Sequence, residues 1–203
     1  MYSKISPPLE LQGKKVDLRV ERTHVQIRMA MLELLNEKEY HSIRVEDILQ
    51  KALVNRATFY KYYTCKDDLI GKMIEAVKIN LDKTWEKRTK YGDLNDFLDH
   101  HINNLYAMRG EILALWKVNT PRHHLRQDMI KMVSNRFSEL SLLAFPEKKP
   151  EDLELQSYIF SNLALDVLEY LFTKGVLSNL REISYHLEQI LVMVNFDFRN
   201  IIK

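Results

Sequence analysis

Between Ile43 and Leu69 the chain reads IRVEDILQKALVNRATFYKYYTCKDDL, and this stretch narrows the accessible folds more than any other. Ile48 and Leu49 are the apolar positions of a short helix expected from Val45 to Lys51. Ala52, Leu53 and Val54 then interrupt the polar pattern as a compact apolar turn. Asn55 has the chemistry of an N-cap, because its side chain can accept from an amide one turn further on. A second short helix follows, carrying Arg56, Thr58, Tyr60, Lys61 and Tyr62 within seven residues. Phe59 and Tyr63 lie four apart and share an inward face. Arg56 with Tyr60, and Ala57 with Lys61, form adjoining stripes away from it. So short an element buries little surface, so its cationic and phenolic groups are there to be presented, and nucleic acid is the receiver whose chemistry fits.

The rest of the chain favours helix. Glycine and proline number five each among 203 residues, strand-like alternation is hard to find, and 46% hydrophobic content is ample for a core. The net charge of +2 is unevenly placed. From Lys14 to Lys66 eleven Lys/Arg face seven Asp/Glu, a net +4, and residues 67–203 carry −2. A basic N-terminal third on a mildly acidic remainder suits a DNA reader attached to something else. The single cysteine, Cys65, excludes an intrachain disulfide and points to a reducing compartment. Charged residues interrupt the opening segment, which therefore lacks the run of a signal peptide. The most apolar stretch, Tyr158 to Phe172, is broken by Asp166 and Glu169 and is too short to span a bilayer. The expectation is a cytoplasmic protein with no membrane partner.

Residues 1–13 hold Pro7, Pro8 and Gly13 without usable periodicity and read as a flexible tail. A first helix is expected from about Val16 to Glu37, with Ile27, Ala30, Met31, Leu34 and Leu35 at helical spacing. A long helix should open at Lys66 and run to about Arg88. Asp93 should cap the next, Gly110 should mark a bend, and Pro121 should start another. The last two helices, about Glu151 to Thr173 and Asn179 to Ile201, each carry two apolar stripes instead of one. The second includes Leu187, Ile190, Leu191, Val194, Phe196 and Phe198. A second stripe in so small a chain calls for a partner, most simply another copy. The alternative places both helices at the centre of the monomer's core. About nine helices in total make an all-α fold: a helix-turn-helix DNA-binding domain at 14–65 and a larger effector-binding and dimerisation domain at 66–203.

The segment Ser42-Ile43-Arg44-Val45-Glu46-Asp47-Ile48, then Ala52 and Val54, then Thr58-Phe59-Tyr60-Lys61-Tyr62-Tyr63, with Lys66 and Leu69, resembles the TetR family of transcription regulators. The likeness is long and ordered and covers about a quarter of the chain. Family members usually place glycine in the turn, where this sequence has Leu53. The resemblance implies a homodimer joined through its last two helices as a four-helix bundle. It also implies a small-molecule effector in the C-terminal domain that moves the long fourth helix and alters the spacing of the recognition helices.

On that reading the partner is a double-stranded DNA operator. Arg56 can pair with O6 and N7 of guanine or with a phosphate, and the sequence leaves both open. Ala57 and Thr58 are short enough to allow close approach and to touch a thymine methyl. Tyr60, Lys61 and Tyr62 suit phosphates, as do Arg44 and Lys66 at the entries to their helices. For the effector, His100, His101, Tyr106, Met108, Trp116, Met129 and Met132 are pocket candidates, although a Met and aromatic stripe at helical spacing is more often ordinary core; no pocket is assigned. Neither His100-His101 nor His123-His124 has metal-ligand spacing, since adjacent helical residues point about 100° apart. No cofactor, metal or catalytic residue is expected. Two other readings remain: a TetR-like co-activator or scaffold governed by a protein partner, and a helical enzyme or binding module with no DNA role. An open C-terminal cavity would favour the small ligand, and a filled core the protein partner.

Overall fold

A computed structural model describes residues 5–7, 18–87 and 94–201. Among these residues it holds nine α-helices and no strand. The expected cap Asp93, the start of the first helix at Val16, most of the tail 1–13 and the side chains of Val194, Phe196 and Phe198 lie outside what is described.

Helix α1 (Leu18–Glu37) buries Ile27, Ala30, Met31, Leu34 and Leu35 as their spacing predicts, together with Leu32. A single 3-10 turn, Tyr40–Ser42, leads to α2 (Val45–Ala52), which ends one residue later than expected. The Arg44 amide donates to the Asp47 carboxylate at 2.7 Å, satisfying one of the donors that a helix start leaves without a partner. Leu53 then turns the chain in the left-handed region, φ 55° and ψ 39°, with its own N–H donating to the Leu49 carbonyl. This is the turn position where the family resemblance leads glycine to be expected. Helix α3 (Arg56–Tyr62) follows, and Phe59 and Tyr63 drop into a core made with Ile27, Met31, Ile43 and Ile48.

Helix α4 (Lys66–Glu86) buries Leu69, Ile70, Met73, Ile74, Val77 and Leu81. It comes very close to the loop before α7. A Cβ on Gly71 would stand 3.0 Å from His123 Cε1, so only glycine fits without displacing that ring. Helices α5 (Leu94–Ala107) and α6 (Arg109–Trp116) meet at Met108. Gly110 was expected at the bend but sits inside the first turn of α6. Pro121 likewise does not start a helix: the Thr120 amide donates to the His123 carbonyl at 2.9 Å and the His123 amide to Thr120 Oγ1 at 3.0 Å. That closed turn delays α7 to Leu125–Ala144.

Two features fasten α6 to α1. Lys117 Nζ donates to Asn36 Oδ1 at 2.7 Å and to the Leu35 carbonyl at 3.3 Å, capping the end of α1. Deeper in, Arg28 Nη2 and Glu111 Oε1 pair at 3.3 Å with only 2% and 0% of their side chains exposed. The Ser6 amide donates to the other Glu111 oxygen at 2.7 Å, tying residues 5–7 to the same spot. Burial alone drives the Glu111 carboxyl above its ordinary value, and Arg28 and the Ser6 amide only partly pull it back.

Helix α8 (Glu154–Lys174) begins after a 3-10 turn at Pro150–Leu153, three residues later than expected, and ends at Gly175 with φ 67°. It packs most extensively on α7, where Phe137 stacks on Phe160 at 4.7 Å and the Ser138 and Ser157 hydroxyls meet at 2.8 Å. Yet Leu155, Tyr158, Ile159, Leu163 and Tyr170 remain exposed on it. On α9 (Leu180–Ile201) no described side chain is buried, and Tyr185, Ile190, Leu191, Val192 and Met193 face outward. The second apolar stripes are therefore real on these two helices, and the single chain does not use them as core.

Candidate nucleic-acid interface

Helix α3 is only two turns long, so its ends decide whether it forms. Asn55 Oδ1 accepts from the Thr58 amide at 2.7 Å, the capping bond that its position predicts. At the other end the Tyr63 N–H donates to the Phe59 carbonyl at 2.9 Å. Phe59 is fully buried and Tyr63 nearly so. Tyr63 also shares a 2.8 Å hydrogen bond between its hydroxyl and His24 Nδ1 on α1. These anchors fix how the helix is rotated and turn Arg56, Ala57, Tyr60 and Lys61 outward.

The expected site residues divide into three groups. Arg56, Ala57, Tyr60 and Lys61 are exposed and lie together on α3, with Arg44 exposed at the start of α2. Thr58 and Tyr62 are half-buried. The Tyr62 ring lies 4.4 Å from that of His24, and its carbonyl accepts from Lys72 Nζ at 3.0 Å. Tyr62 is thus as much a strut between α1, α3 and α4 as a presented group. Lys66 departs from expectation. Its ammonium is turned inward, donating to the carbonyls of Tyr40 and Ile43 at 2.8 Å each and to that of His41 at 3.4 Å, 4.4 Å from the centre of the Tyr40 ring. Desolvation lowers its pKa. Reaching a phosphate would cost Lys66 these carbonyl partners, so the geometry assigns it to holding the 3-10 turn against α4.

Two site features escaped the sequence reading. Glu46 on α2 ion-pairs with Arg56, whose side chain is still 61% exposed. The Arg56 guanidinium also lies 6.0 Å from the Tyr60 ring centre. Tyr40 donates its hydroxyl to Asp67, and burial together with that carboxylate pushes the phenol pKa upward. No local spacing signals either contact, since the partners are ten and twenty-seven residues apart. The cations of the N-terminal third are also less available than their count suggests. Arg28 is buried with Glu111, Lys38 pairs with Asp47 at 2.7 Å, and Lys51 pairs with Glu37 at 2.5 Å.

A cavity of about 330 Å³ lies among α4, α5, α7, α8 and α9. Of the residues singled out for a pocket, His101, Met129 and Met132 line it; His100, Tyr106, Met108 and Trp116 do not. Burial lowers the His101 pKa to about 4, so the ring is neutral near pH 7. No group of three or more metal-ligating side chains occurs among the described residues, and no described helix is long and apolar enough to cross a membrane.

Residues 27–73 match the family model described as "Bacterial regulatory proteins, tetR family". Over 76 residues the chain is 37% identical to YxbF of Bacillus subtilis (strain 168), an uncharacterized HTH-type transcriptional regulator; the match takes in 37% of this chain and 20% of that protein. Over 49 residues it is 37% identical to DhaS of Lactococcus lactis subsp. lactis (strain IL1403), an HTH-type dhaKLM operon transcriptional activator, covering 24% of this chain and 26% of that one. The chain thus spans about a fifth to a quarter of the length of these curated relatives. Its fold is shared more widely. The structure of the dihydroxyacetone kinase operon activator DhaS superposes with a TM-score of 0.53 at 15% identity, over 84% of this chain and 94% of that one. A gamma-butyrolactone receptor (ArpA-like protein) gives 0.54 at 17% identity, over 85% and 99%. A capped two-turn helix turned outward on a three-helix unit, and a family match that falls on that unit, give residues 27–73 the helix-turn-helix module of the TetR family of transcription regulators.

Proposed function

We propose that the chain is a homodimeric operator-binding repressor released by a small-molecule effector, with residues 14–65 reading DNA and residues 66–203 pairing and sensing. The observation that carries the DNA role is the outward face of α3, held in place by the buried Phe59 and Tyr63. In the major groove, Arg56 would leave Glu46 for O6 and N7 of a guanine, and Ala57 and Thr58 would allow close approach. Arg44, Tyr60 and Lys61 would bind phosphates, setting register without specifying sequence. Pairing through the exposed apolar faces of α8 and α9 would set two such helices about 34–36 Å apart, one turn of DNA.

Helix α4 offers the route from effector to DNA. Leu81, Asp82 and Trp85 near its end line the cavity, while Lys66 and Lys72 near its start hold the 3-10 turn and the last carbonyl of α3. An effector acts only through unequal affinity for two positions of this helix; tight binding alone moves nothing. The resemblance to an operon activator supports a second reading, in which the same fold activates transcription. The cavity supports a small ligand over a protein partner as the controlling signal. The test is footprinting of the purified protein on the DNA upstream of its own gene. The reading requires two protected half-sites about one helical turn apart. A single protected half-site, or uniform protection of unrelated duplexes, would defeat it.

A further inference from the structure

We infer that the cavity among α4, α5, α7, α8 and α9 takes an uncharged, mainly apolar molecule with one hydrogen-bonding group, and that it discriminates against ions of either sign. The inference rests on the effector reading above and names the chemistry of that ligand. The walls are almost wholly apolar side chains, among them Leu105, Met132, Phe137 and Leu163. The charged residues lining it are Asp82 and Arg136, which already pair with each other at 2.8 Å. Arg136 has a second carboxylate, Glu139, at 3.7 Å and lies 5.0 Å from the Trp85 ring centre. An anionic ligand would have to displace Asp82 from Arg136, and a cationic one would have to displace Arg136 from Asp82. Either exchange only trades an existing, partly exposed ion pair for a new one, so it returns nothing against the cost of desolvating the ligand's own charge beside an otherwise apolar wall.

One buried hydrogen-bonding group in the wall is not committed in this way. His101 Nδ1 is buried and has no hydrogen-bond partner. Burial keeps the ring neutral, so that nitrogen can serve a ligand without carrying charge. A ligand hydroxyl placed there would gain a bond that no protein group supplies, which fixes one polar end against His101 and leaves the remainder to the apolar wall. The volume of about 330 Å³ sets the size. At the ~30 Å³ that a water-sized group occupies in a liquid, it holds roughly eleven non-hydrogen atoms.

Calorimetric titration of the full chain with 1-decanol, decanoate and decylammonium separates chain length from charge. The expected result is binding of 1-decanol at least tenfold tighter than either ion. Val133→Phe and Ala164→Leu, each adding volume to the wall, should abolish it while leaving the helical circular dichroism unchanged. His101→Phe should weaken 1-decanol about tenfold and leave the two ions as they were. Binding of either ion as tightly as the alcohol, undiminished binding by both wall variants, or no binding of any probe would overturn the inference. Operator affinity measured with and without 1-decanol tests the other reading separately. If the alcohol binds with this selectivity and operator affinity does not move, the effector role fails and the ligand chemistry stands.

Discussion

Removing the Glu111 side chain strands a guanidinium in the interior. Arg28 is 2% exposed, its carboxylate partner is at 3.3 Å, and Glu111 also accepts from the Ser6 amide at 2.7 Å. Deleting one member of such a buried pair costs about 3–5 kcal/mol, most of it the penalty of a buried charge left alone. The orphaned Ser6 amide places Glu111→Ala in the upper part of that range. At ~4 kcal/mol, and 2–4 °C per kcal/mol for a chain of this size, the unfolding midpoint should fall by roughly 8–16 °C. Urea unfolding followed by circular dichroism measures the free-energy loss itself, as a lower midpoint concentration at unchanged slope. The control is Arg28→Met combined with Glu111→Leu, which removes both charges and should recover most of the loss. A cost below about 1 kcal/mol for Glu111→Ala, or a double variant as unstable as the single one, would refute the reasoning. The pair also has a pH signature. Because folding raises the Glu111 pKa, its contribution is fully present below the unfolded carboxyl value and is lost as pH rises through the folded one. Measured against Glu111→Gln, the wild type should therefore lose relative stability as pH climbs through that window.

Three further outcomes are expected. Leu53→Gly should raise stability by about 1 kcal/mol, since leucine at φ 55° meets a Cβ clash that glycine avoids and its side chain, 89% exposed, packs on little. Leu53→Val should lower stability, and both follow from denaturant midpoints. The folded chain holds His101 neutral to about pH 4, whereas the unfolded ring protonates near 6.5; the native state should lose about 3 kcal/mol relative to His101→Phe as pH falls across that interval. Tyr158→Glu and Ile190→Glu, both on the exposed apolar face, should shift sedimentation toward the single-chain mass without loss of helicity. Unchanged sedimentation in both would move the interface elsewhere.

What the sequence made legible was local. The Asn55 cap, the inward pair Phe59 and Tyr63, and the apolar stripe of α1 all follow from spacings of three or four residues, where helical geometry dictates the neighbour. The doubled stripes of α8 and α9 were readable for the same reason. What stayed hidden was set by partners far along the chain. Lys66 looks like a surface cation at a helix start until the carbonyls of Tyr40 and Ile43, 26 and 23 residues earlier, arrive beneath it. Arg28 adds to the basic count of the N-terminal third, although its partner stands 83 residues away and both are buried. The Pro121 error has another source: a Thr120–His123 turn competed with the helix start and won. The cavity could not be read either, because a Met and aromatic stripe looks the same whether it lines a void or fills one.

The proposed function requires Arg56 to read a base from the exposed face of α3. The direct measurement is the affinity of wild type, Arg56→Ala and Lys61→Ala for the operator and for a scrambled duplex across a salt series. Arg56→Ala should lose about 1–3 kcal/mol on the operator alone, while Lys61→Ala should weaken both duplexes alike and flatten the salt slope by about one. Equal losses on operator and scrambled DNA for Arg56→Ala, or none on either, would contradict it.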